Sequence, residues 1–140
     1  MLFPKKVKHR KWQNDRQNPR RYTADTRGVT VAFGSFGLKA LSQARVESKQ
    51  IEAARRVISR TLGKTGRIWI RIFPDRPFTK KAAEVPMGKG KGDPQGFVFD
   101  VRPGRILFEV DGVTEAVAKE AFRKATAKLP VKTKMVPRVG

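Results

Sequence analysis

"FVFDVRPGRILFEV", Phe97 to Val110, is the stretch on which the fold turns. Phe97, Phe99 and Val101 alternate with more polar neighbours, as do Ile106, Phe108 and Val110 after them. Alternation of this kind is the mark of a strand with one face on a core. Between the two runs lies Pro103-Gly104. Proline presets φ for a turn and glycine accepts a positive φ after it. The reading is an antiparallel hairpin of two strands.

Outward from the hairpin, "DG" (Asp111-Gly112) closes the second strand and Thr114 is placed to cap a helix. Ala118, Ala121, Phe122, Ala125 and Leu129 recur at helical spacing on one face, and Pro130 stops the run. Glu115 in its first turn and Lys128 in its last both suit the helix dipole. "VKTKMV" then alternates as a final strand, with Val131, Thr133 and Met135 inward.

On the other side, "RIWIRIF" (Arg67 to Phe73) is the clearest strand of the chain. Ile68, Ile70 and Ile72 share one face; Trp69, Arg71 and Phe73 share the other. The second face is too apolar to stand in water, so something covers it, and Trp69 reads as packing. Pro74 and Pro77 are expected to end the strand. Before it, Ile51, Ala54, Ile58 and Leu62 line one face of a helix capped by Ser48 and ended near Gly63. Lys49, Arg56 and Arg60 fall opposite that face, and Arg55 borders it. "VTVAF" (Val29 to Phe33) reads as the first strand, broken by a turn or bulge at "GSFG" (Gly34 to Gly37).

The expected fold is α+β: two helices packed on one face of a mainly antiparallel sheet. The expected organisation is a basic N-terminal arm over 1–28, a single domain over 29–136, and a tail over 137–140. Within the domain, residues 74–96 form an extended loop. Its centre, "VPMGKGKGDPQG" (Val85 to Gly96), has almost nothing to bury. Loops of that length without a core face are usually functional or disordered.

Charge narrows the function. The 140 residues hold 32 Lys and Arg against 12 Asp and Glu, a formal net charge of +20. Such a surplus repels itself in a compact domain and calls for a polyanionic partner, nucleic acid before an anionic membrane. There is no cysteine, hence no disulfide framework and no thiolate metal site. No apolar run has the length of a membrane span, and the start "MLFPKKVKHRKW" lacks a signal peptide's apolar stretch. A location in the cytoplasm is expected, with no membrane partner and no homo-oligomer.

Chemistry is sparse. "GKGKG" fails as a phosphate-binding P-loop, because Asp93 and Pro94 follow where a Ser or Thr and a helix are needed. His9 is the sole histidine and cannot build a multi-histidine site. The carboxylates are scattered, and Glu109, Asp111, Glu115 and Glu120 read as offsets to local positive charge. No catalytic constellation, metal site or cofactor is expected. The basic arm, the cationic helix face and the Gly/Lys loop together favour nucleic acid. In the loop, glycine admits close approach of backbone N–H groups to phosphate, and lysine adds charge without demanding one orientation. A free-standing nucleic-acid chaperone or a cationic DNA-binding protein has the same composition, and so remains open at this point.

A resemblance sharpens the reading. "FGSFGLKAL", "QIEAARR", "GRIWIRIFPDRP", "MGKGKG", "PGRILFEVDGV" and "AFRKATAKLPVKTKMV" occur in this order. They resemble the bacterial large-subunit ribosomal protein sixteen family from about Val29 to Val136, along with the opening "MLFPKKVKHRK". The resemblance implies an α+β fold, no enzyme activity, and a structural place in the large ribosomal subunit, in translation. It implies 23S rRNA and other large-subunit proteins as partners. It also implies a role in forming the aminoacyl-tRNA site, with A-site tRNA as partner, P-site tRNA an open further one, and the loop near the peptidyl transferase centre. By motif, Lys5, Lys6, Lys8, His9, Arg10 and Lys11 of the arm and Lys49, Arg55, Arg56 and Arg60 of the helix would bind rRNA. Lys80, Lys81, Met87, Gly88, Lys89, Gly90, Lys91 and Gly92 would form the tRNA-proximal loop. Two stretches depart from the family pattern: Pro86 stands where members often have arginine, and "WQNDRQNPRRYTADTR" differs from the usual glycine-containing arm.

Overall fold

A computed structural model of the chain describes Leu2, Pro4, residues 24–79 and residues 94–139. In chain order the elements are β1 (Phe36–Ala40), β2 (Ala44–Glu47), α1 (Ser48–Leu62), β3 (Arg67–Ile70), β4 (Arg76–Thr79), β5 (Pro94–Val101), β6 (Ile106–Asp111), α2 (Glu115–Thr126) and β7 (Thr133–Pro137). The class is α+β, and every strand pairing is antiparallel.

The strands divide between two sheets, one ordered β3-β6-β1-β7 and the other β2-β5-β4. This corrects the hairpin reading of Phe97–Val110. The turn at Pro103-Gly104 exists, with Gly104 at φ 98°, but its two strands do not pair. A strand has two edges, and β5 and β6 are each the inner strand of their own sheet, so both edges of each are already taken. The turn's backbone is satisfied elsewhere: Gly104 N–H donates to Ala40 O at 2.8 Å, and Ala40 N–H to Arg105 O at 2.8 Å.

Two further boundaries shift. The first strand is Phe36–Ala40 rather than Val29–Phe33, and "GSFG" leads into it instead of interrupting it. The reason lies in Glu109, whose carboxylate draws the backbone of residues 32–34 away from any sheet. The stretch 74–96 is not loop throughout. Arg76–Thr79 and Pro94–Gly96 are paired, in the register Arg76↔Val98, Pro77↔Phe97, Phe78↔Gly96 and Thr79↔Pro94. Pro77 is tolerated because β4 is an edge strand.

The core forms where both helices cover the four-stranded sheet. Ile51, Ala54, Ile58 and Leu62 of α1 and Ala118, Ala121, Phe122 and Ala125 of α2 are buried with Leu38, Phe108 and Val110. Each fully buried large side chain of this kind contributes roughly 1.5–3 kcal/mol by leaving water. The alanines let α2 lie close to α1, against which it packs. The expected caps are half right. Thr114 caps α2, its side chain accepting from Val117 N–H. Ser48 does not cap α1; it is the first helical residue, and its hydroxyl donates to Leu2 O at 2.8 Å. Glu47 holds the cap position, and its N–H donates to the Gln50 side chain at 2.9 Å. Arm and body also meet earlier than residue 29: Asp25 N–H donates to Pro103 O at 2.9 Å, and Ile106 N–H to Gly28 O at 2.7 Å.

Candidate nucleic-acid interface

The helix face expected to be cationic is so. Lys49, Arg56 and Arg60 are exposed on α1, on the side away from Ile51 and Ile58. Glu52, which the sequence reading overlooked, lies among them. Arg55 forks onto it, with Nη2–Oε1 2.5 Å and Nε–Oε2 3.1 Å, and Arg56 Nε reaches it at 3.3 Å. The hydrogen bond from Arg55 holds the Glu52 carboxyl at about 2, down from 4.5, against a smaller opposing effect of burial. One carboxylate thus offsets part of the stripe. Arg55 is occupied and part-buried, whereas Lys49 and Arg60 have no carboxylate within ion-pair distance among the described residues. Arg56 keeps 66% of its side chain exposed in spite of its pair.

The three-stranded sheet carries the second expected element. Because Thr79 partners Pro94, residues 80–93 leave and return at one end of the β4–β5 ribbon. Asp100 on the middle strand clamps both neighbours. It takes Arg45 of β2 at 3.2 Å and Arg76 of β4 in a close ion pair. Arg76, within the stretch 74–96 expected to be loop, is therefore a buried cross-strand tie, 7% exposed. Lys80, Lys81, Met87, Gly88, Lys89, Gly90, Lys91 and Gly92 lie outside the described residues, as do Lys5, Lys6, Lys8, His9, Arg10 and Lys11 of the arm.

A third cationic surface emerges only in three dimensions. The face of the four-stranded sheet turned away from the helices carries Arg67 and Trp69 on β3, Glu109 and Asp111 on β6, Gly37 and Lys39 on β1, and Lys134 and Val136 on β7. Direct cross-strand partners put them together: Arg67↔Asp111, Trp69↔Glu109, Gly37↔Glu109, Gly37↔Val136 and Lys39↔Lys134. The segment before β1 crosses this face. Gly37 makes room for it, since a Cβ there would meet Val31 Cγ2 at 2.7 Å. Glu109 Oε1 accepts from the N–H groups of Ala32, Phe33 and Gly34 at 2.9, 2.7 and 2.9 Å, while Oε2 pairs with the Arg71 guanidinium. Burial alone would raise the Glu109 pKa and is its largest single influence. The bonds from Gly34, Arg71 and Phe33 together outweigh it, and the net shift is downward. Asp111 is held below its ordinary range by the Ser35 hydroxyl, then by Gly112 N–H, with Arg67 and Arg138 assisting. Phe33 stacks on Trp69 with centroids 6.2 Å apart and planes at 22°. Here is the cover that the apolar second face of "RIWIRIF" required. One signal for this surface was present in the sequence: Lys132 and Lys134 alternate opposite Val131, Thr133 and Met135.

Among the described residues no group of three or more His, Cys, Asp and Glu side chains could hold a metal ion, and no helix is long and apolar enough to cross a membrane. The described residues offer cations on two separate surfaces, the exposed face of α1 and the outer face of the four-stranded sheet. Residues 4–136 match the family model described as Ribosomal protein L16p/L10e. The chain therefore belongs to the L16p/L10e family of ribosomal proteins, structural constituents of the large ribosomal subunit that associate with rRNA and other ribosomal proteins in translation.

Proposed function

We propose that this protein binds 23S rRNA through its basic arm and the exposed face of α1, and presents its Gly/Lys segment to aminoacyl-tRNA close to the peptidyl transferase centre. Lys49, Arg56 and Arg60 supply the helix contacts, with Arg55 at their edge, and Lys5, Lys6, Lys8, His9, Arg10 and Lys11 supply those of the arm. Lys80, Lys81 and Met87 to Gly92 form the tRNA-proximal element, serving A-site tRNA. The observation that carries this reading is the β4–β5 ribbon. It anchors both ends of residues 80–93 at one edge of the body, and Asp100 ties both of its neighbouring strands to it. A polyanion-seeking segment on a fixed stem can be aimed; the same segment on a free terminus cannot.

The test is aminoacyl-tRNA binding to ribosomes carrying Lys89→Ala with Lys91→Ala, and separately Gly90→Val. The body holds many more cations, so both variants are expected to enter the large subunit while tRNA accommodation weakens. The valine variant isolates backbone restriction, since it removes no charge. Normal tRNA binding by both variants would make the segment a passive tip. Failure of both to assemble would move its role to building the subunit.

A further inference from the structure

Phe33 is the largest exposed apolar feature on the cationic outer face of the four-stranded sheet. It is 55% exposed even though it heads a built stack. Trp69 lies against its ring, and the Arg71 guanidinium carbon stands 5.1 Å from the ring centroid. Trp69 lies two residues before Arg71, the one just inside and the other just beyond β3, and both contact the ring. More than half of Phe33 is still open despite these two contacts.

The backbone that carries Phe33 is pinned. Its own N–H is bonded to Glu109 at 2.7 Å, and the N–H groups on either side bond the same oxygen. Arg71 is held by Glu109 and also donates to Thr30 O at 3.3 Å. With its backbone pinned and Trp69 and Arg71 against the ring, Phe33 has less freedom to lose when a further ring stacks on it. Two cations share this face, both within electrostatic reach of Asp111. Arg67 precedes Trp69 by two residues on the same face, and Arg138 is brought alongside by its N–H bond to Ser35 O at 2.8 Å. Both are exposed.

We propose that the exposed part of Phe33 is a stacking platform for an unpaired rRNA base, with Arg67 and Arg138 taking neighbouring backbone phosphates. A fixed ring rimmed by cations is the device by which proteins hold single-stranded RNA, since every base has a π-face and every nucleotide a phosphate. A duplex keeps its bases stacked on one another and cannot use the ring. The inference rests on the rRNA-binding reading above and adds a site to it, on the side of the body opposite the helices.

The test compares two probes with the full-length protein by fluorescence anisotropy: a short oligoadenylate and an RNA duplex of equal phosphate number. Phe33→Leu is expected to weaken oligoadenylate binding about tenfold, the loss of one base–aromatic stack. Duplex binding and both salt slopes should stay as they are. Phe33→Tyr should restore the parent affinity. Arg67→Gln with Arg138→Gln should instead lower the oligoadenylate salt slope by roughly one to two. The ratio of the two affinities is the deciding quantity, because partial unfolding would depress both alike. An unchanged ratio in Phe33→Leu overturns the platform and leaves the ring as a protein contact or a solvated cap. Failure of the parent protein to bind either RNA would overturn the rRNA reading as well.

Discussion

Glu109 and Arg71 form an ion pair beneath the segment that leads into β1. The glutamate is wholly buried and the arginine side chain 19% exposed. The pair does more than neutralise itself. Its carboxylate terminates three successive backbone N–H groups, at Ala32, Phe33 and Gly34, that would otherwise be stranded on a sheet face. One side chain thereby folds a segment that has no strand partner.

Glu109→Gln keeps an oxygen for the three N–H groups but strips Arg71 of its counter-charge. Breaking a buried pair from one side costs about 3 kcal/mol. Adding Arg71→Ala should then cost far less than it does in the parent, because the two residues act as a unit. Urea unfolding midpoints of the four proteins in this cycle measure the coupling. Additive losses would mean that the pair contributes nothing as a pair.

Acid should loosen both of the ion-paired carboxylate sites. The folded-state pKa of Glu109 is lowered, and that of Glu52 falls to about 2. A lowered folded-state pKa means that stability is fully present above the unfolded value, about 4.3 for glutamate, and is lost as pH falls through the folded value. The urea midpoint is therefore expected to hold above pH of about 5 and to fall as pH drops toward about 2. Glu109→Gln with Glu52→Gln should start lower and show a shallower fall. An equally steep acid slope in that double variant would assign the loss to other carboxylates.

Gly34→Ala should be costly for a steric reason. A Cβ there would lie 2.5 Å from Val110 O, which belongs to the backbone of a central strand and cannot step aside. At Gly37 the nearest obstacles are side-chain methyls, Val31 Cγ2 at 2.7 Å and Ile106 Cγ2 at 3.3 Å, and Val31 belongs to a segment outside the sheet. Overpacking costs typically 1–3 kcal/mol. Gly34→Ala should fall at or above the upper end and Gly37→Ala below it. Thermal melting of the two variants gives the order, and a reversed order would show that the β6 backbone yields more readily than Val31.

Arg56→Ala with Arg60→Ala should flatten the salt dependence of rRNA binding by roughly one to two units of log–log slope. Glu52 retains Arg55 in that variant, and the buried face of α1 is untouched, so helix content by circular dichroism should not change. An unchanged slope would return this face to plain solvated surface.

Periodicity and charge determined much of this protein. The two helices, their buried faces, the Thr114 cap, the α+β class and the cationic side of α1 all follow from spacing along the chain, because a helix makes its own hydrogen bonds and its faces are set by residues three and four apart. Strand partners were not so legible. Phe97–Val110 alternates and turns as a hairpin does, yet β5 and β6 part company, since pairing is decided by which distant edges compete for each strand. Val29–Phe33 alternates like a strand and is not one. The N–H groups of Ala32, Phe33 and the following Gly34 go to a carboxylate 75 to 77 positions away, and that single side chain outweighs local preference. Arg76 looked like a loop cation until Asp100 appeared beside it. The outer face of Arg67, Phe33, Trp69 and Arg138 belongs to the tertiary structure, because it joins residues from three parts of the chain that sheet register and the Glu109 carboxylate bring together.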